Sequence, residues 1–203
     1  MRAPEFESRS MPMPTFPEPF ATLINEHRTI ESVVADALSA VNAARGHADD
    51  TELTAATLET MRDLEAFMDV DLTVHIAKEE HILFPAFRVM SAENAVVVTD
   101  MLAQHDEVRD RHLALQETLA LLDHAHGEVE AERRALSSEL AGVVTNESLS
   151  TLGQIVRRLD AILQGHFYDE EDGLFEPAAS LFDSERLLEL HAQMEKIGIA
   201  TLD

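Results

Sequence analysis

The sequence predicts an all-α protein, an up-down four-helix bundle, and three observations support this fold class. Glycine and proline are sparse, with seven of each in 203 residues, and most of the prolines precede residue 20. Beyond that point, hydrophobic residues recur every three or four positions through long uninterrupted segments, which is the spacing of one helix face. Hydrophobic residues make up 45% of the chain and aromatic residues only 5%, so we expect a largely aliphatic core.

The first two helices have recognisable ends. Helix one is predicted from Phe20 to about Arg45, where Gly46 favours a C-terminal stop. Helix two is predicted to begin at Thr51, interpreted as its N-cap, because a threonine side chain can accept a hydrogen bond from the first turn. It should end near Pro85.

The second half predicts two more long helices and two shorter segments. Helix three should begin near Asn94 and run to about Gly127, and helix four should follow the polar stretch at Thr145. An extra helical segment is expected at 128–140, and a short C-terminal capping helix at 184–196. The predicted organisation is a flexible proline-rich tail over 1–19, the bundle over 20–180, and the capping helix and tail over 181–203.

The N-terminal tail lacks the apolar stretch of a secretory signal, and no apolar run approaches the roughly 18 to 20 residues of a transmembrane helix. We therefore expect a cytoplasmic protein that does not bind membranes. Met11 is a candidate native start, which would make residues 1–10 an added leader.

Charge and cysteine content exclude several function classes. The chain has 15 Lys and Arg against 39 Asp and Glu, a net charge of −24, which disfavours binding to nucleic acid or to anionic lipid. The absence of cysteine excludes disulfides, iron–sulfur clusters and thiolate zinc sites. Any metal must be held by histidine and carboxylate side chains.

An internal repeat carries the candidate chemistry. The pattern H-x3-E-E-x2-L-F, followed by Pro-Ala, occurs once from His75 and again from His166. Residues four apart share a helix face, so His75 with Glu79, and His166 with Glu170, can each converge on one point. A single copy would be better explained by an exposed ion pair, but two copies on apolar helix faces favour a site.

Each copy follows a helix with a histidine in its own apolar seam, His27 in the first half and His105 in the second. The candidate metal ligands are therefore His27, His75, Glu79, His105, His166 and Glu170. Burying six polar groups costs several kcal/mol each unless they are paired, and a pair of metal ions would satisfy all six. Two imidazoles and one carboxylate per metal suit non-haem iron with open positions, although the same ligands accept Zn, Mn or Cu.

At these residues the chain resembles the hemerythrin-like (HHE cation-binding) family, whose pattern is H…HxxxE…H…HxxxE on a four-helix bundle, and the resemblance spans about residues 20–180. It implies two non-haem irons per chain, oxo- or hydroxo-bridged. It also implies the ligand sets: His27 and His75 on one iron, His105 and His166 on the other, with Glu79 and Glu170 bridging.

Two departures from the oxygen-carrying members disfavour oxygen transport. Arg109 stands where the carriers have a fifth histidine, and the last motif is His166-x3-Glu170 rather than His-x4-Asp. Glu171 occupies the position of the carriers' terminal carboxylate, so it is a second candidate for the role of Glu170.

Neighbouring residues have alternative interpretations. Glu31, four after His27, is interpreted as a solvated carboxylate, with a ligand role or a contact to an imidazole N–H left open. His112 is assigned to core packing or to a contact with a metal ligand from outside, and Tyr168 is assigned to packing. Arg109 either holds a bridging carboxylate or extends along the surface.

The resemblance leads to two function hypotheses. In the first, the centre binds or activates O2, H2O2 or NO, with catalase-like peroxide consumption or redox and gas sensing favoured over oxygen transport. In the second, the protein is a non-enzymatic iron or oxygen sensor, a metal-binding regulatory bundle. A bundle that acts only as a scaffold would leave the repeat unexplained.

Overall fold

A computed structural model of the chain describes residues 16–135 and 144–200, with side chains described for 16–123 and 144–197. Within those ranges the chain is helical and has no strand, which confirms the all-α prediction. Most of the predicted 1–19 tail and part of the 128–140 segment lie outside the described residues.

Five helical rods, here named α1 to α5, make up this part of the chain. Helix α1 spans Phe20–Ala44, α3 spans Ala92–Ala135 and α5 spans Ser184–Ala200. Helix α2 comprises Thr51–Phe67, Thr73–Lys78 and Phe84–Arg88, joined by the π-helical turns Met68–Leu72 and Glu79–Leu83. Helix α4 comprises Asn146–Glu170, the π-helical turn Glu171–Phe175 and the helix Glu176–Leu181.

The start of α2 differs from the prediction by one residue. Asp50, not Thr51, is the N-cap, and its side chain accepts a hydrogen bond from the Leu53 amide at 3.0 Å. Aspartate is at least as good a cap as threonine, and Thr51 becomes the first helical residue. The predicted end of α1 is confirmed, since Gly46 adopts the left-handed φ of +86° just beyond the helix.

Helix α3 is longer than predicted. It passes through Gly127 without a break and continues to Ala135, so the first part of the 128–140 segment belongs to α3 rather than to a separate helix. A glycine inside a helix costs only about 1 kcal/mol relative to alanine, and neighbouring helix-forming residues outweigh that cost.

The first four rods form a bundle around a polar layer. Helix α1 packs on α2 and α4, and α3 packs on the same two helices. The up-down order of the four helices stays a prediction. Two apolar clusters fill the core, one around Ile30, Leu115 and Leu159, the other around Phe20 and Phe175.

The candidate ligands lie between these two apolar clusters. On α1, for example, Leu23 belongs to one cluster, Ile30 to the other, and His27 lies between them. Helix α5 packs on α2 near the same level and adds the buried Leu190 to the second cluster. The polar groups are therefore covered by apolar side chains at both ends.

Two glycines of α4 are expected to respond oppositely to alanine. A Cβ at Gly153 would meet the Val41 Cγ1 atom at 2.9 Å, whereas a Cβ at Gly165 would meet nothing within 4 Å. We expect Gly153→Ala to destabilise the protein by about 1–3 kcal/mol through overpacking of α1 on α4. Gly165→Ala should stabilise it by about 0.5–1 kcal/mol through helix propensity. Urea unfolding of both variants measures this, and equal effects would contradict the close approach.

Candidate metal centre

All six candidate ligands converge in the polar layer, one histidine from each of the four helices and one glutamate from each of α2 and α4. None is more than 3% exposed. The i,i+4 spacing in α2 and α4 places each glutamate on the inner face beside its histidine, as the repeat predicts. The structure therefore brings together every residue of the predicted set.

Glu79 connects two groups of possible ligand atoms. Its Oε1 atom lies 2.8 Å from His75 Nε2 and 3.7 Å from His27 Nε2. Its Oε2 atom lies 3.1 Å from His105 Nε2 and 3.8 Å from His166 Nε2. In each of the two groups, the possible ligand atoms lie within 4.8 Å of one another, and Glu79 belongs to both.

Glu170 occupies a similar position between the two halves. Its Oε2 atom is 3.3 Å from His27 Nε2 and 3.8 Å from His166 Nε2, so it contacts one ring of each pair. Glu79 is thus shared by the two groups of possible ligand atoms, while Glu170 belongs to neither group and lies between His27 and His166.

The donor atoms of this cluster fit a metal centre. Among the described residues, the Nε2 atoms of His27 and His75 and all four carboxylate oxygens of Glu79 and Glu170 are buried without a hydrogen bond. The Nε2 atoms of His105 and His166 face each other at 3.2 Å, which requires a shared proton or a cation. Buried polar atoms without partners are costly, and a metal cation would satisfy them together.

Each histidine is oriented by an acceptor on its outer nitrogen. All four Nδ1 contacts are 2.9 Å long: Glu171 with His27, Glu26 with His75, Glu80 with His105, and Gln104 with His166. Since carboxylate and amide oxygens accept, each Nδ1–H donates outward. In the neutral form of each ring, the lone pair of Nε2 then points inward, which is the state that metal ligation needs.

Sequence reasoning identified none of these four acceptors, since it considered Glu171 only as a substitute for Glu170, although the chain carries a signal for them. Each acceptor is the sequence neighbour of an inner residue. Glu26 and Gln104 directly precede the inner histidines His27 and His105, and Glu80 and Glu171 directly follow the inner glutamates Glu79 and Glu170. Consecutive side chains on a helix point about 100° apart, so one reaches the centre and its neighbour reaches a ring on the adjacent helix.

The alternative role for Glu171 is not supported by its position. Its carboxylate contacts His27 Nδ1 and Arg28, with the Arg28 Nη2 atom at 3.0 Å, and it lies outside the inner cluster that contains Glu170. Glu31 is also outside the cluster, paired with Arg28 at 3.1 Å.

Cations hold the three outer carboxylates. Arg109 donates to Glu80 at 2.7 Å, so the carboxylate it holds is an outer one rather than Glu79 or Glu170. Lys78 contacts Glu26, and Arg28 contacts Glu171. These contacts restrict the carboxylates that orient the rings.

Two packing assignments have different outcomes. His112 is partly buried, with its Nε2 atom 3.8 Å from Glu65, and it takes no part in the cluster. The assignment of Tyr168 to packing is wrong, because its side chain is 68% exposed. Its position two residues after His166 turns it away from the core and into solvent.

In the metal-free cluster, the neighbouring carboxylates raise the pKa of His27, His75 and His105, whereas burial lowers the pKa of His166. Burial alone would lower the pKa of His75, but the attraction of the Glu79 carboxylate and the hydrogen bond to Glu26 raise it to about 9. Burial would likewise raise the pKa of Glu79, yet the surrounding histidines hold it well below its usual range. Burial and the negative charge of Glu79 raise the pKa of Glu170 to about 7. The cluster thus retains protons in place of other cations.

Two of the three π-helical turns in the described part of the chain begin at nearly the same place in the two copies of the repeat, one aligned position apart. One begins at Glu79 and the other at Glu171, directly after Glu170. Such turns are rare and occur frequently at functional sites. The sequence pattern alone predicts continuous α-helix here.

The model of the hemerythrin HHE cation-binding domain matches residues 18–141, more than half of the chain. The chain belongs to this family. Four of the six candidate ligands lie within the matched residues, and His166 and Glu170 lie beyond them. The internal repeat relates these two residues to His75 and Glu79 in the first half of the chain. A search of curated proteins found no match. In the described part of the chain, no helix has both the length and the apolar character needed to cross a membrane.

The two neighbouring glutamates of α4 should behave differently when changed. Glu170→Gln removes a buried inner carboxylate, and we expect the metal content to fall below one ion per chain. Glu171→Gln keeps an acceptor on His27 Nδ1, so metal affinity should fall by roughly 10- to 100-fold without loss of the site. Elemental analysis with metal titration distinguishes them. If Glu171→Gln lost more metal than Glu170→Gln, the inner role would belong to Glu171.

Proposed function

We propose that this hemerythrin-family protein holds two non-haem irons per chain and binds or activates O2, H2O2 or NO at them. His27 and His75 would hold one iron, and His105 and His166 the other. Glu79 and Glu170 would be shared. The observation that carries the proposal is the set of buried carboxylate and Nε2 atoms without hydrogen bonds, which face one another while every Nδ1 donates outward.

When bound, a pair of irons with two imidazoles and shared carboxylates supplies open coordination positions and redox chemistry for small oxygen or nitrogen ligands. The protein's own part is orientation and exclusion. The four outer acceptors hold the rings in one tautomer, and the apolar clusters on both sides exclude bulk water. Because none of the six side chains is more than 3% exposed, the site favours diatomic molecules or peroxide over larger substrates.

The outer contacts support peroxide consumption or redox and gas sensing over oxygen transport. Arg109, which stands at the position of the carriers' fifth histidine, is turned to Glu80 and Asp106 and offers no ligand atom to the cluster. A centre with four histidines has more open positions than one with five. This favours reaction or signalling over a restricted reversible site.

A non-enzymatic iron or oxygen sensor is the second candidate, and one observation favours it. The inner residues come from all four bundle helices, so occupancy of the centre would be tied to the packing of the whole bundle. In either role we propose an up-down bundle in the cytoplasm whose partners are small molecules rather than nucleic acid or membrane.

The first test is the number of moles of each transition metal per chain in freshly purified protein, before and after anaerobic addition of Fe(II). About two irons per chain supports the paired centre. Peroxide turnover, with absorbance changes on exposure to O2 and NO, then separates the roles, since a sensor binds without turnover. Zinc in place of iron, or no metal after Fe(II) addition, would contradict the proposal.

A further inference from the structure

The four acceptors that orient the histidines are not equivalent. Three are carboxylates, on His27, His75 and His105, and each also contacts a lysine or an arginine. The fourth is the amide of Gln104, on His166. In the structure as described, no cation contacts that amide.

Comparison of the two halves shows a paired exchange of residues. The residue before the first histidine of each half is Glu26 in one half and Gln104 in the other. The residue three after the second histidine is Lys78 in one half and Asp169 in the other. The Glu26–Lys78 pair is therefore replaced by Gln104 and Asp169. The latter two line a cavity of about 270 Å³ together with Asp100 and other residues. A glutamate at 104 would meet like charges there, whereas an amide does not.

The exchange changes the ligand strength of one ring. A carboxylate attracts the Nδ1 proton more strongly than an amide does, which makes Nε2 a better donor to a metal. The His27 and His75 pair has two carboxylate acceptors, while the His105 and His166 pair has one carboxylate and one amide.

We propose that the two halves of the metal centre are unequal, and that Gln104 makes the His105/His166 half the one that holds its metal more weakly and releases it first. The inference rests on the proposed paired centre. Gln104 acts as a positioning residue, through His166, and contacts no metal itself.

Long-range charge would give the opposite order, which makes the inference testable. The Gln104 and Asp169 pair carries one net negative charge and the Glu26–Lys78 pair carries none, so simple attraction would favour a cation in the His105/His166 half. Asp169 is exposed, however, and water and salt screen it. The hydrogen bond to His166 is direct and close to the buried ring.

The experiment exchanges the pairs between the halves. Gln104→Glu with Asp169→Lys gives the second half the residues of the first, and Glu26→Gln with Lys78→Asp does the reverse. Each protein is loaded anaerobically with Fe(II), and iron release to a chromogenic chelator is followed over time. The wild type should release one iron in each of two phases, with rates about tenfold or more apart.

The two exchanges should move different phases. The double variant Gln104→Glu with Asp169→Lys should slow the fast phase of iron release by about tenfold, although it adds positive charge. The double variant Glu26→Gln with Lys78→Asp should accelerate the slow phase, although it adds negative charge. Glu59→Gln, an exposed change on α2 outside the centre and its outer contacts, is the control and should leave both phases unchanged. Gln104 and Asp169 are at least partly exposed, so the variant changed at these two residues should fold. It carries the test even if the variant changed at Glu26 and Lys78 fails to fold.

The outcomes separate this inference from the proposed function. Two bound irons with a fast phase that the 104 and 169 exchange leaves unchanged or accelerates would overturn the inequality and leave the paired centre standing. A wild-type chain that binds fewer than two irons would overturn the paired centre and this inference with it.

Discussion

Glu79→Gln should reduce the metal content from about two ions per chain to less than one. One oxygen of this side chain faces His27 and His75, and the other faces His105 and His166. Loss of the charged carboxylate therefore weakens both metal positions. Since changes in outer contacts alone typically cost 10- to 100-fold in affinity, removal of a shared inner charge should cost at least about 100-fold. Elemental analysis and metal titration of the purified variant measure the loss.

Glu80→Gln is the matched control for that variant. It makes the same chemical change one residue along α2, where the side chain accepts from His105 Nδ1 and pairs with Arg109 rather than facing the centre. It should keep two metals with reduced affinity in one half. Circular dichroism establishes that both variants fold. A Glu79→Gln protein that retained two metals would remove Glu79 from the site.

The inner cluster was predictable from sequence because periodicity and the repeat act together. Four-residue spacing fixes His75 with Glu79 on one face, and the second copy applies the same constraint to His166 and Glu170. Apolar neighbours every three or four residues then direct those faces inward. The structure places all six predicted residues within one buried layer.

The outer contacts were not predictable in the same way, since they depend on how helices lie against each other. Glu26 contacts a ring on α2, and Glu80 a ring on α3. Helical periodicity orients each residue about its own axis but gives neither the rotation nor the axial offset of its neighbour. On sequence alone, both residues have the composition of ordinary solvated helix positions.

Three local predictions were wrong: continuous α-helix through the repeat, the N-cap of α2 and the end of α3. Each has a local physical reason. A π turn at Glu79 adds hydrogen bonds of longer span without any change in composition, so the hydrophobic pattern does not signal it. Similarly, Asp50 and Thr51 are both acceptable caps, and only the Leu53 amide contact separates them. The sequence predicts a helix end near Gly127, but the cost of a glycine is small enough for the helix to continue.

Removal of metal should lower the thermal stability of the protein strongly while leaving it folded at neutral pH. The inner residues join all four bundle helices, and a metal that binds only the folded state stabilises it by about 4 kcal/mol at a thousand times its Kd. At about 2–4 °C per kcal/mol for a chain of this size, the Tm should fall by roughly 8–16 °C after chelation. Protons then replace the metal charge in part, since the pKa of His75 is raised to about 9 and that of Glu170 to about 7.

Differential scanning calorimetry of the metal-loaded and chelator-treated protein measures this shift, and Glu79→Gln supplies the control because its Tm should hardly respond to chelator. The size of the shift also bears on the choice between roles. A large shift with little peroxide turnover favours the sensor, because occupancy would then order the bundle without chemistry. An equal Tm with and without metal would mean that the centre contributes nothing to folding. The sensor hypothesis would then lose its physical basis, and peroxide, O2 or NO chemistry at a preformed site would be left as the better explanation.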